Sequence, residues 1–350
     1  MNLTSKNKKM IKRTLYFGNP AYLNLKDEQM IVHLTESENQ SIINIDGFAE
    51  YKKEAKATIP IEDIGIVVLD NKQVTITQGL IEALLENNVA LITCNSKHLP
   101  TGLLLPLSGN TIQSERFRAQ IDASEPLKKQ LWAQTASQKI KNQAALLESI
   151  GINNSYLIPL YKNVNSGDTN NCEATAAAYY WQHIFSGIDL NNFEKADDNI
   201  ANNEEPENID EEIGETAFKR LREGNPPNNY LNYGYAILRG TMARSIVCAG
   251  LLPTLGIFHH NRYNAYCLAD DLMEPYRPYI DKVVLNVIKE HGLKEDLTKE
   301  IKAMLLTIPA IDVIMFDEKS PLLIATQRTA NSLVKCFNGE QRKLVYPEFV

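Results

Sequence analysis

The sequence lacks the markers of several large protein classes. No window approaches about 18 consecutive apolar residues, so no membrane-spanning helix is expected. Cysteine is sparse: Cys94, Cys172, Cys248, Cys267 and Cys336 are odd in number, widely spaced and free of any C-x-x-C pair. That argues against a zinc ribbon or a disulfide framework and fits reduced thiols in a cytoplasm. The opening MNLTSKNKKM is basic but is followed by no apolar stretch, so it does not read as a secretory signal. Met10 is an alternative start, with the first nine residues a disordered extension. No repeat recurs at a fixed period. A P-loop, a GxGxxG unit, an H-E-x-x-H helix and a G-x-S-x-G elbow are all missing.

What remains is an ordinary globular composition, 44% hydrophobic and 23% charged, in 350 residues, a length that suggests about two domains. The net charge of −7 speaks against nucleic acid only until its distribution is read. Residues 190–215 hold ten acids and one base, a charge of −9, so the rest of the chain carries +2. Residues 219–262 carry Lys219, Arg220, Arg222, Arg239, Arg244 and Arg262 against Glu223 alone. Such asymmetry suits a polyanion, although helices also have basic solvated faces. The segment 190–213, rich in Asn, Asp and Glu, cannot bury enough apolar surface to order itself and is expected to be a mobile loop. It reads as a spacer, or as a guard that competes with DNA for the basic face.

Hydrophobic periodicity divides the chain. Up to about residue 105 the runs RTLYFGNPAYLNL, QMIVHL, QSIINI and IPIEDIGIVVLDN read as strands, and VTITQGLIEALLENNVALITCN as strand, short helix capped by Thr77, and strand. Residues 106–113 have a linker composition. Beyond them the pattern turns helical, with a start at Ser124-Glu125-Pro126. Further helices are expected at 172–187, 214–223, 229–251, 269–292, 295–307 and 320–336. The expected architecture is α+β: a β-rich domain over 10–105, a linker, and a larger α-helical domain over 114–350.

Three segments could carry chemistry. In NCEATAAAYYWQHIF, Glu173 lies in the first turn of a helix whose alanines permit close approach, though a glutamate there is also simply a favourable dipole partner. LGIFHHNRYNAYC offers His259 and His260, of which one at most should face a given metal; the pair also reads as surface or capping residues. LADDLMEPYRPYID sets Asp270 and Asp271 four and three residues before Glu274, which in a helix shares one face, unless Pro275 kinks it. Together, a Glu, a His and an acid among arginines resemble a Mg²⁺ or Mn²⁺ site for phosphodiester chemistry, since an oxygen-rich set with one imidazole suits those ions better than structural zinc.

At this point the chain resembles a known family, the large subunit of the CRISPR-associated spacer-acquisition integrases, in a form similar to type II subtype C. The resemblance runs from Met10 through IKRTLYFGNPAYL, IPIEDIGIVVLDN, QKIKNQ, EATAAAYYW, LNYGYAILRGTMARSI, LGIFHHNRYN and LADDLMEPYRP. It implies a β-sandwich-like N-terminal domain that dimerises and a helical catalytic domain. It further implies metal ligands at Glu173, His259 and Glu274, with His260 as the alternative histidine and Asp271 as a neighbouring candidate. Double-stranded DNA, a second copy of the chain and a small ferredoxin-like adaptation subunit are the implied partners. Arg239, Arg244, Arg262 and Arg277 are candidate phosphate contacts by charge and position. The implied reaction joins a 3′-hydroxyl end to a repeat by transesterification. A plain metal-dependent nuclease or a non-catalytic DNA-binding scaffold would use the same residues differently.

Overall fold

The β-rich beginning of the chain forms two sheets. In chain order its strands are β1 (Arg13–Phe17), β2 (Ala21–Lys26), β3 (Gln29–Leu34), β4 (Ile43–Asn44), β5 (Lys56–Pro60), β6 (Ile64–Leu69), β7 (Val74–Ile76), β8 (Ala90–Cys94) and β9 (Pro100–Leu104), with helix α1 (Gln78–Glu86) between β7 and β8. The computed structural model describes residues 12–34, 43–44, 56–188, 218–221 and 224–350. The five-stranded sheet runs β4-β1-β6-β8-β9 and the four-stranded sheet β5-β3-β2-β7. β1, β6 and β8 are parallel neighbours at the centre of the first. Their near-continuous apolar text follows, because a central parallel strand is buried on both faces. Leu15, Phe17 and Val67 meet Leu23, Met30 and Val32 from the other sheet, and Leu80 and Leu84 of α1, in one core. The sandwich-like expectation therefore holds. The β2–β3 hairpin closes through Asp27 and Glu28, both left-handed at φ 50° and 58°.

Contacts divide the described residues into two units. One holds the strands above with Pro309–Ile311; the other is Ser108–Ile308 with Asp312–Val350. In the second unit come α2 (Gln113–Ile121), α3 (Glu125–Ser149), α4 (Leu157–Lys162), α5 (Cys172–Ile184) and α6 (Asn228–Cys248). They are followed by α7 (Cys267–Met273), α8 (Arg277–His291), α9 (Lys299–Leu305) and α10 (Leu322–Phe337), with strands β10 (Asp312–Met315) and β11 (Glu318–Pro321) before the last. α3 starts where the sequence places it: the Ser124 side chain accepts the Leu127 N–H, and Pro126 sits in the first turn, where a missing N–H costs nothing. α6 is the central helix, buried on nearly every side, and packs against α7, α8 and α10. A Cβ on Gly234 would come within 2.6 Å of Ile280, so this glycine is what lets α6 approach α8.

Several expectations are corrected. The helix expected over 269–292 is two helices joined by a 3-10 turn at Glu274–Tyr276. Glu274 keeps helical angles (φ −52°, ψ −46°), but Pro275 and Pro278 remove two N–H donors, and the ladder tightens around the gap. Between the helices expected at 295–307 and 320–336 the α-helical domain contains the β10–β11 hairpin, closed by Phe316 and Asp317, again left-handed at φ 55° and 60°. Of the helix expected at 214–223, residues 218–221 are not helical and the others lie outside the described residues. The acidic stretch 190–213 and the start at Met10 also lie outside them.

Candidate active site

Four elements of the helical unit bring the candidate residues together. α3 supplies a residue that reads as ordinary in sequence, Lys139, which is 9% exposed. Its ammonium contacts the Glu173 carboxylate from the first turn of α5 and lies 2.7 Å from Glu274 Oε2. Arg277, one turn after Glu274, binds the other carboxylate oxygen at 2.8 Å. Glu173 is itself fixed by its backbone: Asp168 accepts the N–H groups of Cys172 at 2.9 Å and Glu173 at 3.0 Å, which caps α5 from outside the helix. Burial pushes the Asp168 carboxyl up, against those two N–H groups.

The electrostatics follow from this pairing. Burial alone would push Glu274 toward its neutral form, but the Arg277 and Lys139 cations outweigh it and hold the carboxyl below its ordinary range. Burial would likewise discharge Lys139, and the Glu173 and Glu274 carboxylates hold it charged. The result is a buried cluster of two carboxylates and two cations.

His259 stands beside this cluster on the segment between α6 and α7. Its Nδ1 lies 2.5 Å from Asp271 Oδ1. Asp271, fully buried, also accepts the backbone N–H groups of Ile257 at 2.7 Å, Phe258 at 2.9 Å and His259 at 3.2 Å. The segment thus wraps one carboxylate, and it can do so only because residue 256 is glycine: a Cβ there would sit 2.4 Å from the His259 carbonyl and 2.7 Å from Asp271 Oδ2. Trp132 of α3 supports the ring from below, stacked on Phe258 (4.1 Å, 3°) and meeting His259 edge-on (5.6 Å, 85°). Burial would lower the basicity of His259, yet the Asp271 bond and charge, with Glu274 behind, raise it. The imidazole is 43% exposed, so Nε2 is the nitrogen left for a ligand.

The structure therefore joins Glu173 to Glu274 through Lys139, and His259 to Asp271. Among the described residues no three His, Cys, Asp or Glu side chains already converge on one point. The donor set nevertheless fits a hard divalent cation: two carboxylates reach one position, now held by the Lys139 ammonium, and the adjacent imidazole is oriented by a carboxylate. His260 is exposed and, with Arg262, Tyr263 and Asn264, lines a separate cavity of about 630 Å³.

The arginines divide. Arg262 stacks on Tyr263, which is 78% exposed, and both face solvent. Arg239 pairs with Asp270 at 2.6 Å. Arg277 serves Glu274. Arg244 is 7% exposed inside the α6 packing, with burial lowering its basicity, and as placed it does not offer its charge to a phosphate. Beneath the site, Asp281 accepts the hydroxyls of Tyr180 at 2.6 Å and Tyr235 at 2.5 Å, and burial pushes its carboxyl up to about 6. Arg277 stacks on Tyr235, which connects this network to Glu274. Asn142 of α3 donates to the Pro275 carbonyl at 2.7 Å and to the Pro347 carbonyl at 3.1 Å, tying residues 345–349 to the Glu274 turn.

Lys139 and Asn142 lie within QKIKNQ, but neither they nor Asp168 or Asp281 are assigned a role from sequence. The available signal was position: Lys139, Asn142 and Gln143 fall on the buried stripe of α3 with Leu131, Thr135 and Leu146, where a lysine needs a partner.

Comparison with known proteins gives the family. Residues 17–315 match the family model described as CRISPR associated protein Cas1. The chain is 37% identical over 292 residues to the CRISPR-associated endonuclease Cas1 of Neisseria meningitidis serogroup C (strain 8013), covering 82% of this chain and 86% of that one. In fold it is similar to a casposase bound to integration product (TM-score 0.70, 16% identity, 95% of this chain and 92% of the other). It is also similar to a Cas6-RT-Cas1–Cas2 complex (TM-score 0.63, 17% identity, 95% of this chain and 35% of the other). A family model spanning most of the sequence places this chain in the CRISPR associated protein Cas1 family.

Proposed function

We propose that the chain is a divalent-metal-dependent DNA integrase of CRISPR spacer acquisition. The observation that carries the reading is the convergence of the Glu173 and Glu274 carboxylates on one cationic position, beside an imidazole set by Asp271. Glu173, Glu274 and His259 would hold Mg²⁺ or Mn²⁺. Such an ion, when bound, lowers the pKa of an attacking hydroxyl and offsets charge on the phosphate.

The chain's own residues do the rest. Asp271 keeps the His259 ring turned so that Nε2 carries the lone pair. Arg277 keeps Glu274 ionised. Arg262 with Tyr263 offers an exposed cation and an aromatic face to a nucleic acid strand. The 3′-hydroxyl oxygen of an incoming fragment bonds to a repeat phosphorus, the repeat's 3′-oxygen leaves and takes a proton, and one phosphodiester replaces another without an external energy source. The name of the Neisseria relative supports nuclease chemistry, and the casposase structure supports strand transfer on this fold.

A homodimer formed through the strand-rich unit and a small ferredoxin-like subunit complete the proposed machine; the complex containing Cas1 and Cas2 supports the second of these. A cytoplasmic setting is proposed from the reduced-thiol reading. Among the described residues no helix is long and apolar enough to cross a membrane.

The test is joining of an end-labelled duplex to a repeat plasmid by the purified chain with its small partner, in Mn²⁺ and in EDTA. Joined product in Mn²⁺ alone, lost in Glu173→Ala and Glu274→Ala variants that melt normally, is the expected result. Cut products without joined ones assign a plain nuclease. DNA binding with neither product leaves a scaffold.

A further inference from the structure

We propose that Lys139 is a displaceable counter-cation of the carboxylate pair: its ammonium competes with the divalent ion for Glu173 and Glu274, and when displaced it turns outward to the phosphate of the bound DNA. This rests on the metal reading above and deepens it.

Position is the first argument. One ammonium touches both carboxylates, one from α5 and one from the turn after α7, and lies at the point that an ion shared by those two carboxylates would take. Its contact to Glu274 Oε2 is a 2.7 Å ion pair. The ammonium is bound to these two oxygens by opposite charge, and a second cation placed there would compete for the same pair.

Charge is the second argument. Glu173 and Glu274 carry −2, and Lys139 and Arg277 carry +2, so the cluster is already neutral. A divalent ion added to it would leave a buried charge of +2 with the ammonium pressed against the metal. With Lys139 withdrawn, the carboxylates and Arg277 carry −1, the ion brings this to +1, and one phosphodiester brings it to zero. With Lys139 withdrawn, balance is reached only when metal and DNA are both present.

Reach is the third. Lys139 stands mid-helix on α3 at the end of a flexible four-carbon stem, whereas Arg277 is additionally held by the Tyr235 ring. Of the two cations, Lys139 is the one free to swing without disturbing a stacked neighbour.

The experiment is Mn²⁺ binding to the full chain, followed by the paramagnetic resonance of the unbound ion, with thermal melting in EDTA and in Mn²⁺ alongside. The Lys139→Met variant is expected to bind Mn²⁺ about tenfold or more tightly than wild type, because the competitor is gone. It is also expected to melt lower than wild type in EDTA and to recover in Mn²⁺. Lys139→Arg, which keeps the charge, is expected to show no gain. Where the methionine variant fails to fold, Lys139→Gln, which still hydrogen-bonds both carboxylates, carries the same comparison. Unchanged or weaker Mn²⁺ binding by the neutral variant, with wild-type binding that still depends on Glu274, overturns the proposal and leaves the metal site standing. No Glu274-dependent Mn²⁺ binding in wild type removes the metal reading itself, and this inference with it.

Discussion

Asp271 holds His259 twice, through the imidazole Nδ1 at 2.5 Å and through the backbone N–H at 3.2 Å. One carboxylate therefore sets both the ring and the chain that carries it. Replacing Asp271 with Asn puts an amide donor among four donors. We expect joining activity to fall about 10- to 100-fold, the usual loss when the group orienting a ligand histidine is removed. Rates of joining in saturating Mn²⁺, with circular dichroism to establish the fold, measure this. Wild-type rates would remove Asp271 from the site.

The two adjacent histidines separate cleanly in the structure. His259 has Asp271 and Trp132, while His260 lines the neighbouring cavity. Joining should be abolished in His259→Ala and should stay within a few-fold of wild type in His260→Ala. The reverse order would show that the chain uses the second imidazole. Side-by-side time courses on one repeat substrate decide it.

Asn142→Ala leaves the Pro275 carbonyl without its buried donor and cuts the link to residues 345–349. A cost of about 1–3 kcal/mol is expected for the unsatisfied group. Denaturant unfolding measures it. A second readout is Mn²⁺ affinity, which should weaken because the turn carrying Glu274 is anchored at that carbonyl.

Asp281 gives a pH prediction of definite sign. Its carboxyl rises from an ordinary 3.8 to about 6 in the fold, with burial the leading cause. A group whose folded pKa is raised stabilises most below its unfolded value, and that contribution is lost as pH climbs through the folded one. Asp281 therefore takes stability away between about pH 4 and pH 6. Asp281→Asn, which never ionises, should show a flatter melting profile than wild type across that window. Parallel profiles would mean that folding does not shift the Asp281 carboxyl.

Much of this was legible in the letters. β6 and β8 are apolar runs with turn signals, α3 has a serine cap and a proline in the first turn, and the segments around Glu173, His259 and Glu274 stand out by residue type and order. The β10–β11 hairpin was hidden because its left-handed turn is Phe316-Asp317, not Asn-Gly, so the usual mark of a tight hairpin is missing. The break between α7 and α8 was half visible: Pro275 announced it, but whether the chain would kink or tighten depended on packing around Tyr276, which is fully buried. Lys139 was invisible for a different reason. A lysine in a helix reads as solvated, and only the fold shows that its stripe faces two carboxylates from distant segments. Charge in a sequence says nothing about burial, and Arg244 is 7% exposed.

The stack of Trp132 on Phe258, with the His259 edge beside it, has an optical consequence. The chain has two tryptophans, and the other is Trp181 on α5. A protonated imidazole against an indole quenches its emission, and a shift of the 256–260 segment changes the indole's surroundings. In a Trp181→Phe background, Trp132 becomes a native fluorophore beside His259, and its intensity against pH, metal and DNA reports the candidate site in real time without a label.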